Sequence, residues 1–60
     1  MAGKFEIFKD KKQEFRFRLK ASNGKIIASS EGYTERTSCL NGIESVKRFA
    51  AEALIIDLTK

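Results

Sequence analysis

The sequence predicts an α+β domain of order β-β-β-α-β, and three observations carry that reading. Phe15, Phe17, Leu19 and Ala21 alternate with Arg16, Arg18 and Lys20, the period of a strand with one face buried and one wet. Asn23-Gly24 follows at once, a pair suited to a tight hairpin because both residues tolerate positive φ. Beyond Gly32-Tyr33 the apolar period lengthens, and Cys39, Leu40, Ile43, Val46 and Ala50 recur at helical spacing.

Each element can be placed in order. Lys4 to Lys9 reads as the first strand, with Phe5 and Ile7 on one face and Lys4, Glu6 and Phe8 on the other. Asp10-Lys11-Lys12-Gln13 is polar and turns the chain. Glu14 to Ala21 is the second strand and Lys25 to Ser29 the third, with Ile26 and Ala28 sharing a face opposite Ile27. Short turns between consecutive strands make a three-stranded antiparallel meander. One helix is expected from about Thr34 to Ala51, with Thr34 as N-cap and Glu35 in the first turn, where the helix dipole favours an anion. Asn41-Gly42 allows a later start, with Asn41 as cap. The single long helix is preferred because the apolar stripe continues through Gly42, where a small residue would let the helix lie close to the sheet. Leu54 to Thr59 reads as a final strand, apolar on nearly every position. Such a segment belongs inside a sheet, since at an exposed edge it would invite aggregation. The expected core is Phe5, Ile7, Phe15, Phe17 and Leu19, matched by Leu40, Ile43, Val46 and Phe49 from the helix.

Sixty residues allow one domain, residues 1–60. A chain this short removes only about 60% of its unfolded surface from water, and such chains commonly need a disulfide, a metal or a partner. Cys39 is the single cysteine and there is no histidine, so an internal disulfide is impossible and a conventional metal site is not expected. No signal-peptide pattern is seen at the N-terminus, and the run Ala53-Leu54-Ile55-Ile56 is too short to cross a bilayer. A cytoplasmic protein without a membrane partner is the expectation.

The segments Lys4-Phe5-Glu6-Ile7-Phe8, Phe15-Arg16-Phe17-Arg18-Leu19-Lys20-Ala21 with Asn23-Gly24, Ser30-Glu31-Gly32-Tyr33, Gly42-Ile43-Glu44-Ser45-Val46-Lys47 and Ile56-Asp57-Leu58 together resemble the YegP-like domains of bacteria. The resemblance covers nearly the whole chain. It departs at Gln13, where such domains often carry glycine, and at Phe49, where they often carry asparagine. It implies a β3-α-β unit, two of which assemble around a shared sheet and exchange their C-terminal strands. With one copy in the chain, it implies a homodimer. It implies no particular activity.

Catalysis finds little support. With no histidine there is no Ser-His or Cys-His pair, and no glycine-rich phosphate loop is present. Ser29-Ser30-Glu31 and Thr34-Glu35 are ordinary turn and cap residues, and Cys39 reads as a small buried hydrophobe. Tyr33 reads as a ring packed under the start of the helix. No enzyme activity and no cofactor are therefore expected. The functional lead is charge. Residues 1–25 carry eight Lys/Arg against three Asp/Glu, whereas residues 26–60 carry four against five. Arg16, Arg18 and Lys20 project from one side of their strand, beside Lys4 and Phe8 of the neighbour. This surface is a candidate site for nucleic acid or an acidic protein. It competes with the plainer reading of a solvated face whose cations pair with Glu6 and Glu14, because charged outer faces are the rule for half-buried strands.

Overall fold

The computed structural model describes residues 3–59. Three strands and one helix form in chain order: β1 (Lys4–Lys9), β2 (Phe15–Lys20), β3 (Ile26–Ser29) and α1 (Arg36–Ala50). The strands form an antiparallel sheet of order β1-β2-β3, with β2 central. Pairing of Phe5 with Leu19 and of Ile7 with Phe17 puts the apolar rows of both strands on one face. Pairing of Lys4 with Lys20, Glu6 with Arg18 and Phe8 with Arg16 puts the polar rows on the other.

Both hairpins close in the same way. Gln13 N–H donates to Asp10 O at 3.0 Å and Asp10 N–H donates to Glu14 O at 3.0 Å. Gly24 N–H donates to Ala21 O at 2.9 Å and Ala21 N–H donates to Lys25 O at 2.8 Å. In each loop the fourth residue is left-handed, with φ of 64° at Gln13 and 87° at Gly24. This is the longer hairpin loop that ends in a left-handed residue, not the two-residue turn expected from Asn23-Gly24. Asn23 keeps negative φ, and its Oδ1 accepts from Lys25 N–H at 3.1 Å. Gln13 thus occupies the backbone conformation that the glycine of similar domains would supply without strain.

β3 breaks its expected alternation. Ala28 pairs with Leu19 on the inner face, but a register shift beyond Leu19 pairs Ile26 with Lys20 on the outer one. Ile26 and Ala28 therefore do not share a face. Past β3 the chain still follows β2. Ser30 N–H donates to Phe17 O at 2.9 Å, and Phe15 and Tyr33 exchange two backbone hydrogen bonds of 2.7 Å. This bridge holds the chain on the sheet as far as Tyr33, so the helix begins at Arg36, two residues later than expected. Glu35 takes the N-cap position with extended backbone and makes no side-chain cap bond, so neither Thr34 as cap nor Glu35 in the first turn is observed. The helix continues unbroken through Asn41-Gly42.

Gly42 explains the fit of helix to sheet. A Cβ there would lie 2.6 Å from Tyr33 Oη and 3.1 Å from Phe17 Cε2. The Tyr33 ring stacks on Phe17, with centroids 6.4 Å apart and planes at 14°. Tyr33 therefore packs against the helix's second turn, beside Gly42, further along than the expected place under the helix start. The buried core is Phe17, Cys39 and Ile43, with Phe5, Ile7, Phe15, Tyr33 and Val46 packed around it. Leu40 is 36% exposed and Phe49 is 64% exposed, so neither is the core partner expected. The helix lies over β2, and residues on its flanks face solvent.

The expected fourth strand, Leu54–Thr59, joins no ladder among the described residues. Residues 53–59 form an arm without helix or ladder. Its alternation suits a strand, but both faces are apolar enough to need neighbours that this single sheet does not bring to it.

Two substitutions test these contacts by chemical denaturation. Gly42→Ala should destabilise the fold by about 1–3 kcal/mol through overpacking against Tyr33 and Phe17, although alanine would favour an open helix site by about 1 kcal/mol. Gln13→Gly should stabilise it by about 0.5–1 kcal/mol by removing the left-handed strain. Stabilisation by Gly42→Ala would refute the close approach, and loss of stability in Gln13→Gly would refute the strain.

Candidate functional site

The outer face of the sheet gathers all five candidate residues, and it pairs most of their charge. Glu6 stands at its centre. Arg18 Nε donates to Glu6 Oε1 at 2.8 Å, Lys20 Nζ lies 3.4 Å from the same oxygen, and Lys4 Nζ lies 3.6 Å from Oε2. The pairing of β1 with β2 puts Glu6 directly opposite Arg18, so this cluster follows from the register alone. Arg18 also lies over the Phe8 ring, 4.8 Å from its centroid, and occupies one face of the aromatic.

Arg16 is held separately. Its Nε donates to Asp10 Oδ2 at 2.7 Å, and its Nη1 donates to Ser30 O at 3.4 Å. Asp10 Oδ1 meanwhile accepts from Lys12 N–H at 2.9 Å and from Glu14 N–H at 3.0 Å. One carboxylate therefore closes the first hairpin and fixes an arginine on the adjoining strand. Glu14, expected to pair with a cation, lies instead against Gly32. Ser30, read from the sequence as an ordinary turn residue, ties the chain to β2. Its Oγ accepts from Phe17 N–H at 2.9 Å and donates to Glu31 O at 2.8 Å, a role visible only once the register is known.

These carboxylates are held ionised. The Arg18 hydrogen bond, helped by Lys20 and opposed by partial burial, lowers the pKa of Glu6. The Glu14 N–H and then Arg16 and Lys12 N–H lower that of Asp10, again against partial burial. Neither is placed to hold or release a proton near neutrality. The fully buried Cys39 thiol is pushed up by desolvation, with Arg36 acting weakly against it, and so is a poor nucleophile. Among the described residues no group of three His, Cys, Asp or Glu could hold a metal, and no helix is long and apolar enough to cross a membrane.

The second surface is the arm. Leu54 is 85% exposed, Ile55 96%, Ile56 70% and Leu58 87%. Thr59 Oγ1 donates to Asp57 Oδ1 at 2.6 Å and Thr59 N–H donates to it at 2.9 Å, which lowers the pKa of Asp57. The arm thus offers four large apolar side chains and one firmly ionised carboxylate.

Acid titration of stability tests the outer face. The folded pKa values of Glu6 and Asp10 lie below their ordinary 4.5 and 3.8. Their contribution is therefore present above those values and lost as pH falls through the lowered ones. A Glu6→Gln/Asp10→Asn variant should be less stable than the parent at pH 7 and should converge with it as both are acidified. Parallel acid profiles for the two proteins would show that the pairings contribute nothing.

Comparison with known proteins places this geometry. A UPF0339 protein of Treponema denticola is 55% identical over 58 residues, which cover 97% of this chain and 100% of that protein. A UPF0339 protein of Stutzerimonas stutzeri, described as lying in the ptx operon 5′ region, is 60% identical over 52 residues. The match covers 87% of this chain but 47% of that longer protein. The solution structure of a Haloferax volcanii protein superposes with a TM-score of 0.86 at 42% identity, covering 93% of this chain and 95% of that one. The family model for the domain of unknown function DUF1508 matches residues 10–57, and the chain belongs to that family, in keeping with its YegP-like resemblance.

Proposed function

We propose that the chain is a small homodimeric, non-catalytic interaction module, in which each copy completes its sheet with the C-terminal arm of the other. The exposed arm carries this reading. A compact monomer of 6.8 kDa is expected to expose about 4,000 Å², whereas this chain exposes 5269 Å². The surplus, roughly 1,300 Å², exceeds the ~800 Å² that each partner buries in a standard stable interface. The radius of gyration, 13.0 Å, likewise exceeds the ~10 Å of a compact chain of this length.

The comparisons support the same reading in two ways. The family model runs through Asp57, so the arm as far as Asp57 lies within the family unit. The Stutzerimonas relative has room for a second unit in the same chain, since the match spans under half of it. The outer face favours an interaction module over a phosphate-binding platform. Glu6 and Asp10 already engage Lys4, Arg16, Arg18 and Lys20, and Arg18 covers one side of Phe8, the aromatic that would stack on a base.

Sedimentation equilibrium tests the proposal directly. The wild type should weigh twice its 6.8 kDa at micromolar concentration, and Ile56→Asp should shift it to the single-chain mass while keeping the helical circular dichroism. A wild type that sediments as one chain at 100-fold higher concentration would end this reading.

A further inference from the structure

On the outer face of the sheet each arginine is more exposed than the carboxylate that holds it. The Arg16 and Arg18 side chains are 40% and 35% exposed, against 17% for Asp10 and 28% for Glu6. We infer that this face receives an acidic segment of another protein, extended and carrying carboxylates on alternate residues. The inference rests on the interaction-module reading, but it uses only groups within one chain and no contact of the arm.

Hydrogen-bonding capacity is the first argument. Each arginine uses its Nε on its own carboxylate, Arg16 on Asp10 at 2.7 Å and Arg18 on Glu6 at 2.8 Å. Of their Nη groups, only Nη1 of Arg16 makes a further bond, to Ser30 O at 3.4 Å. Both Nη groups of Arg18 and Nη2 of Arg16 thus have no protein acceptor among the described residues. A guanidinium carries its N–H donors in a fixed planar fork. Arg18 can therefore still take a carboxylate with two parallel bonds, and Arg16 with at least one. Both planes are also held in advance, Arg16 by its two bonds and Arg18 by Glu6 and the Phe8 ring 4.8 Å away. Side chains already ordered lose little freedom when a partner arrives.

Spacing is the second argument. Arg16 and Arg18 are two residues apart on β2, hence on one face and about 6.8 Å from each other. Carboxylates on alternate residues of an extended segment repeat at the same ~6.8 Å. Lys4 and Lys20, opposite each other in the register, add cations at one end of the row. This chain holds no such segment, since no two of its eight Asp and Glu stand two residues apart. The occupant is therefore a different protein and not a second copy.

Charge is the third. Lys4, Arg16, Arg18 and Lys20 exceed Glu6 and Asp10 by two positive charges, which two carboxylates balance. A nucleic-acid duplex, with a phosphate every ~3.4 Å of each strand, would bring about six along the ~20 Å of β2. Some of these would fall against Glu6, and Phe8, already covered on one side by Arg18, would offer bases little to stack on.

Nuclear magnetic resonance titration of the intact wild-type protein tests the assignment. The probe is a short serine-glycine peptide bearing two aspartates on alternate residues. The Nε–Hε signals of Arg16 and Arg18 should shift saturably. Arg18→Gln should weaken binding about ten-fold, and Arg18→Lys, which keeps the charge but loses the fork, at least about three-fold. Lys47→Gln, on the helix, should leave it unchanged. An isomer with adjacent aspartates should bind at least about three-fold more weakly. No saturable shift up to about 5 mM peptide, in a protein that sediments as a dimer, would overturn the assignment and leave the dimer standing. Undiminished binding by a folded Arg18→Gln, or tighter binding of an oligothymidylate than of the peptide, would overturn it too. Binding of the expected pattern by a wild type that sediments as one chain would uphold this partner and remove the dimer.

Discussion

Phe17 lies under Gly42, with Tyr33 stacked alongside it, and the tightness of that contact governs the rest of the molecule. Only Phe17, Cys39 and Ile43 are buried among the described residues, so the helix can be held to the sheet only where it comes closest, over β2. Close approach requires the missing side chain at Gly42, and it requires Tyr33 in place. Tyr33 is in place because its backbone bridges Phe15. The same bridge keeps residues 30–33 on the sheet and so fixes where the helix can begin. A helix seated over the central strand leaves both flanks of a small sheet uncovered. That is why Leu40 and Phe49, which lie on its flanks, face solvent.

The fold was legible wherever local pattern and tertiary need coincide. Strict alternation in Phe15–Lys20 located β2, and the facing rows of β1 followed from it. The run through Gly42 predicted one helix because the apolar stripe outweighed the propensity cost of glycine. What was not legible came from pairing. The helix start was misplaced because Thr34 satisfies the local rule for a cap, while the Phe15–Tyr33 bridge is a contact between distant residues. The alternation of β3 was misassigned because a register shift cannot be read from one strand. Asn23-Gly24 announced a turn but not its length, which the shared geometry with Asp10–Glu14 reveals. Gln13 could be flagged only by its departure from similar domains.

The candidate site divides in the same way. The alternation placed Arg16, Arg18 and Lys20 on one face, and the register sets Lys4 and Phe8 beside them. How far those charges are already satisfied was not legible, because it depends on Glu6 falling opposite Arg18 and on Asp10 reaching Arg16 across the hairpin. Exposed pairs of this kind contribute little each to stability. Their effect is to set the charge the face shows outward. Four cations and two carboxylates leave a modest positive surplus, spread over ordered side chains.

Why the arm leaves its own sheet is a question of reach. The helix ends at Ala50, Ala51 keeps helical geometry, and Glu52 N–H and Ala53 N–H still donate back to Phe49 O and Ala50 O at 3.3 and 3.4 Å. Almost no extended chain separates the helix from Leu54. A return to the home sheet must cross from the helix layer to the strand layer, about 10 Å, with roughly 3.5 Å gained per fully extended residue. Three residues would have to unwind and run straight, giving up the helix's last bonds. A second copy removes that demand, because its sheet can be brought to wherever the arm already points. The hydrophobic pattern of residues 53–58 asks for a sheet, and the short connection before it works against a return to the home sheet, which is the demand the proposed dimer would meet.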